Sequence, residues 1–187
     1  MTSILKVDNI QKANGSVPKA SDLGINTTGS VLQVVSTTKT DTYSATVAAG
    51  AASDLIPGLT ATITPSSTNS KVLVTLVLNA VFNTTAGQNM HSILFRDTTA
   101  LGIGDAAGSR SRVTSSTQNA SSATSTNLFT ISFLDSPATT SAITYGVKVR
   151  LEFSASRVIY INRTETDTDN VYFARKASTI TVQEIGG

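Results

Sequence analysis

The chain has no cysteine, no tryptophan and one histidine, and charged residues make up 14% of it, against roughly 25% in an ordinary soluble domain. Without cysteine there are no disulfides and no thiolate metal ligands, so stability has to come from packing and assembly. With a single imidazole, any Ser-His-Asp chemistry must run through His91. The net charge of +2, from 14 basic and 12 acidic residues, is a small imbalance rather than a basic field, so nucleic acid is not an expected partner. No window approaches a membrane span, and no long amphipathic helix can be drawn. The opening MTSILKVDNIQK lacks the basic start, uninterrupted apolar run and small-residue cleavage site of a secretory signal, so synthesis in a cytoplasm without membrane insertion is expected.

What is abundant is hydroxyl: Ser and Thr exceed a quarter of the 187 residues. Thr is β-branched and suits exposed strand positions, and Ser caps turns, so this composition favours sheet and loop. The most informative stretch is Lys71 to Phe82, KVLVTLVLNAVF. In strand geometry one of its faces reads Val72, Val74, Leu76, Leu78, Ala80, Phe82 and is pure core. The other reads Lys71, Leu73, Thr75, Val77, Asn79, Val81, which is mixed yet apolar for a surface meeting water. Its simplest cover is a second copy of the chain, which places Leu73, Val77 and Val81 at a subunit interface.

Residues 1–29 read as an extended arm, with Ile4, Leu5, Val7 and Ile10 among polar residues and Asn14, Gly15, Pro18, Gly24 and Gly29 as punctuation. Residues 30–187 carry regular strand signals: Val31 to Val35, Leu59 to Ile63, Lys71 to Phe82, Asn89 to Asp97, Thr98 to Gly104, Asn127 to Asp135, Thr144 to Phe153, Arg157 to Asn162, Val171 to Phe173 and Ser178 to Ile185. About eight to ten strands suit an all-β, antiparallel β-sandwich of the jelly-roll type. The polar stretch Ser109 to Thr126 is expected as an exposed loop, and Ser115, Gln118 and Asn119 are its candidate ligand contacts.

Candidate chemistry is sparse, and neither an enzyme nor a cofactor is expected. Gly102, Gly104 and Ala107 imitate a dinucleotide fingerprint, but no amphipathic helix follows to hold a pyrophosphate. Asp167, Asp169 and Asn170 imitate half of a calcium loop without its glycine or its closing Glu, and a solvated turn is the simpler reading. His91 shares a strand side with Ile93 and Phe95, which makes it a buried or interface histidine. Tyr145, Phe153, Tyr160, Tyr172 and Phe173 read as core or interface first, with Tyr160 and Tyr172 as candidates for sugar stacking. Tyr145 is placed with the interface set.

Three strings together, ILKVDNIQ, then LGIGDAAGSRSRVT with LDSPATTSAITYGVKV, then ASTITVQEI, resemble small fibre and head-decoration proteins of tailed bacteriophages, especially marine and cyanobacterial phages. The resemblance implies a virion-surface protein whose arm (Ile4, Leu5, Val7, Ile10) anchors to a phage capsid or tail protein. It further implies a knob that forms a homotrimer of jelly rolls like those of tumour necrosis factor. No heptad or collagen-like shaft is present, which favours a squat decoration or short fibre. The alternative is a tail-fibre receptor-binding tip or lectin-like module that meets a host surface glycan.

Overall fold

A computed structural model describes residues 9–18, 22, 28–83, 88–118, 124–152 and 154–187. Among these there is no α-helix, and eleven strands build two antiparallel sheets packed as a β-sandwich. In chain order the strands are β1 (Val31–Lys39), β2 (Tyr43–Val47), β3 (Thr60–Ile63), β4 (Lys71–Phe82), β5 (Asn89–Arg96) and β6 (Thr99–Leu101). They continue as β7 (Ser115–Gln118), β8 (Asn127–Asp135), β9 (Ile143–Leu151), β10 (Arg157–Ile161) and β11 (Ser178–Ile185).

The central strand of the first sheet is β4. Along one edge it pairs with β11 from Lys71 to Val77 and then with β10 from Ala80 to Phe82, and along the other edge with β8 from Val72 to Ala80. β1 lies outside β11, and β2 outside β10. The second sheet runs β3-β9-β5, with β6 and β7 taking successive stretches of the far edge of β5. Nearly every pairing therefore joins residues far apart in the chain.

The inward face of β4 is as its alternation dictates: Val72, Val74, Leu76, Leu78, Ala80 and Phe82 are each at most 1% exposed. They meet Met90 and Leu94 of β5 and Ile143, Tyr145, Val147, Val149 and Leu151 of β9 in one continuous core. Burial of each such side chain contributes about 1.5–3 kcal/mol, which stands in for the absent disulfides.

Three expectations change. The segment Val171 to Phe173 is a turn: Val171 is 92% exposed, and an apolar triplet with no neighbouring edge cannot hold a strand. The polar Ser115–Gln118 is a strand, because β5 offers it a free edge and backbone pairing needs no apolar side chain. A strand at Tyr43–Val47, absent from the expected set, forms against β10.

Candidate functional site

In an antiparallel sheet, residues in register share a face. On the outer face of the first sheet this brings together the rows Leu134, Leu73, Gln183, Val34; Ser132, Thr75, Thr181, Ser36; and Thr130, Val77, Thr179, Thr38. None of these side chains is charged, and Lys71 stands one row out, opposite Ile185. Hydroxyls tie neighbouring strands, with Ser36 Oγ 2.7 Å from Thr181 Oγ1 and Thr38 Oγ1 3.0 Å from Thr179 Oγ1. The apolar members are left open: Val34 is 55% exposed, Leu134 49%, Val77 41%, and nearby Leu128 59%. Leu73 is half-buried. The face anticipated from β4 alone is thus four strands wide, and the described residues leave it uncovered.

The other anticipated interface residues lie elsewhere. Val81, opposite Tyr160 on β10, is 2% exposed and so already buried within its own chain. Tyr145 is fully buried between the sheets, where its hydroxyl donates to Asp135 Oδ2 at 2.7 Å. Asp135 also accepts from Arg96 Nη1 at 2.6 Å. Burial, and then the Asp135 carboxylate, hold the Tyr145 phenol well above its ordinary value, so it remains a neutral donor. Tyr145 is a core residue with a satisfied polar end, and a subunit contact through it is ruled out by its depth. Strand parity was the signal for its partner, since Phe129, Ile131, Phe133 and Asp135 fall on one side of β8.

His91 is 8% exposed and also buried by its own chain. Its Nδ1 lies 2.9 Å from Ser116 Oγ, and Arg150 sits opposite it in register. Burial holds the imidazole below its ordinary value, while the nearby Glu152 raises it and Arg150 lowers it. Ser116 is thus its hydroxyl neighbour, and the nearby Glu152 carboxylate accepts from Ser111 and from Arg150 Nε at 2.5 Å.

Of the candidate ligand loop, Ser115 and Gln118 lie at the two ends of β7, paired with Ser92 and Asn89, and Asn119 lies outside the described residues. Ile4, Leu5 and Val7 of the arm and Phe153 are likewise outside them. Ile10 is 48% exposed. Gly102 has φ +57° in the turn after β6, and no helix follows it among the described residues, so the loop holds no helix terminus for a phosphate.

The loop between β10 and β11 is held by charge and by turns. Asp167 Oδ2 accepts from Arg163 Nη1 at 2.7 Å and from Arg175 Nη2 at 2.8 Å. Arg163 lies 4.4 Å over the ring of Tyr160. With two guanidiniums on its oxygen, Asp167 serves as a brace of this loop. Tyr172 is 72% exposed, while Tyr160 is half-buried.

No protein-family model matches the chain, and no curated protein matches it. Among solved structures, the chain is similar to one in the structure of infectious bursal disease virus, Gt strain, at 12% identity and a TM-score of 0.43. The alignment covers 83% of this chain and spans 38% of the length of that one.

Proposed function

We propose that this protein is a non-enzymatic structural component of a bacteriophage virion. In this reading it is a homotrimeric capsid-decoration or short-fibre protein, fastened to the capsid or tail by residues 1–29 and presenting the sandwich outward. The strand order β1-β11-β4-β8 facing β3-β9-β5-β6 is read as a jelly roll. One observation carries the assembly: the uncharged, half-apolar outer face of the first sheet, with Val34, Val77, Leu128 and Leu134 each more than 40% exposed. The virion assignment is supported by the resemblance of the three sequence strings.

Covering a half-exposed Val or Leu contributes about 1 kcal/mol, so these side chains alone give about 4 kcal/mol per covered face. Association costs an estimated 4–15 kcal/mol or more, so the Ser and Thr rows must be covered too, with hydroxyls satisfied across the boundary. An interface without charge has no long-range repulsion to overcome and no salt bridge to screen.

The test is the mass of the purified chain by light scattering, alone and with Val77→Lys plus Leu134→Lys. A trimer that becomes a folded monomer in the double variant is the expected result. A wild-type chain that stays monomeric at micromolar concentration, or a trimer indifferent to both lysines, overturns the proposal.

A further inference from the structure

The loop between β10 and β11 borders a half-open hollow of about 280 Å³ lined by Asp167, Thr168, Asp169, Asn170, Phe173 and Arg175. Its size is just under the lower end of small-molecule pockets, roughly 300–1,000 Å³, which is room for one ring and little more. Its walls are preset. Asp167 is braced by Arg163 and Arg175, and Asn170 accepts from the backbone of Tyr172 through Oδ1 and from that of Phe173 through its carbonyl, both at 3.0 Å.

Those bonds leave particular valences open. The Asp169 carboxylate, the Thr168 hydroxyl and the Asn170 amide nitrogen have no partner among the described residues. One strong acceptor, one two-way hydroxyl and one donor therefore belong to residues that line the same space, together with the half-buried Phe173. The charges decide what kind of ligand this suits. Asp167 and Asp169 are balanced by Arg163 and Arg175; an anion would meet Asp169, and a cation would compete with two guanidiniums already on Asp167. The remaining class is a neutral, ring-sized molecule with several hydroxyls and one apolar face.

We propose that this hollow binds a neutral pyranose ring, with adjacent hydroxyls held by Asp169, Thr168 and Asn170 and the C–H face of the sugar packed on Phe173. Tyr172, next to Phe173 in the chain and 72% exposed, would offer its ring to a second sugar of a chain. The hollow is built by one chain, so this inference stands or falls separately from the assembly.

The experiment is saturation-transfer NMR on the full-length protein, using methyl glycosides of glucose, mannose, galactose and N-acetylglucosamine, with a glucuronide as the charged control. Binding in the millimolar range is expected for a single ring, with the glucuronide weaker than its neutral counterpart. Asp169→Ala and Phe173→Ala should each weaken the response at least about tenfold, with thermal unfolding confirming that both variants remain folded. Because Asp169 is exposed and makes no contact that the fold needs, its variant keeps the test valid even if Phe173→Ala does not fold. No transfer to any neutral glycoside, a preference for the glucuronide, or an unchanged response in Asp169→Ala overturns the proposal.

Discussion

Asn162 shows how much of this fold can rest on one residue. It is fully buried at φ +61°, a left-handed conformation that Asn tolerates better than most residues. Its Nδ2 donates to the carbonyls of Lys39 at 2.8 Å and Asp41 at 3.1 Å, and its Oδ1 accepts from Ser178 Oγ at 2.6 Å. Its backbone N–H donates to the Asn79 carbonyl at 3.0 Å, so one amide side chain and its peptide, just past β10, reach β4 and the ends of β1 and β11. Replacing Asn162 by Ala leaves two carbonyls and a hydroxyl without their donor or acceptor, and should cost about 2–4 kcal/mol in urea unfolding. Asn162→Gly loses the same bonds without the positive-φ strain and should be milder by about 1 kcal/mol; equal losses would refute the role of the backbone conformation. His91 carries a pH prediction. Its folded value lies below 6.5, so its stabilising contribution is complete above pH 6.5 and falls away as pH drops from there through the folded value, where the unfolded chain takes up the proton first. In His91→Gln the slope of stability against pH just below 6.5 should flatten, and an unchanged slope would assign it to another group.

At the scale of the strand, turns and edges decide what side-chain alternation leaves open. The β5-β6 hairpin closes through Asp97, at φ +50°, and is pinned to β9 by Thr144 N–H donating to Asp97 Oδ1 at 3.0 Å. Gly102, directly after β6, is required twice over: its φ is +57°, and a Cβ there would stand 3.1 Å from the ring of Phe133. Gly102→Ala should therefore cost about 1–3 kcal/mol in denaturant unfolding, because alanine is strained at this φ and the Phe133 ring must also give way to its Cβ. A loss below about 0.5 kcal/mol would show that Phe133 is free to turn away. The bounds of β4, β8 and β11 were legible because each is a long β-branched or apolar run between turn residues. β7 was not legible, since Ser115 to Gln118 has no apolar pattern and is a strand only because β5 presents it with unpaired backbone groups. Val171 to Phe173 failed in the opposite sense: its side chains suit a strand, but it has no partner edge.

At the scale of the molecule, the candidate sites divide in the same way. The outer face of the first sheet was half legible: alternation alone assigns Leu73 and Val77 outward, but only the register shows that Leu134 and Val34 extend the row of Leu73 across β8 and β1. Val81 has the same parity as Val77 yet is 2% exposed against 41%, so outward direction does not by itself mean exposure. Tyr145 and His91 were misplaced for a related reason, since aromatic or imidazole character does not reveal whether the chain's own second sheet and edges already enclose the group. The sugar-sized hollow left a trace in the sequence as the Asp167 to Asn170 string, which reads as half a cation loop until Arg163 and Arg175 are seen on Asp167. The sequence by itself determined that the chain is all-β, that β4 turns one wholly apolar side inward, and that stability comes without disulfides; these follow from local periodicity and composition. The tertiary structure alone decided which strands are neighbours, which outward side chains stay open and which polar groups meet. Those outcomes depend on contacts between segments as distant as Lys39 and Asn162, whose pairing no local pattern encodes.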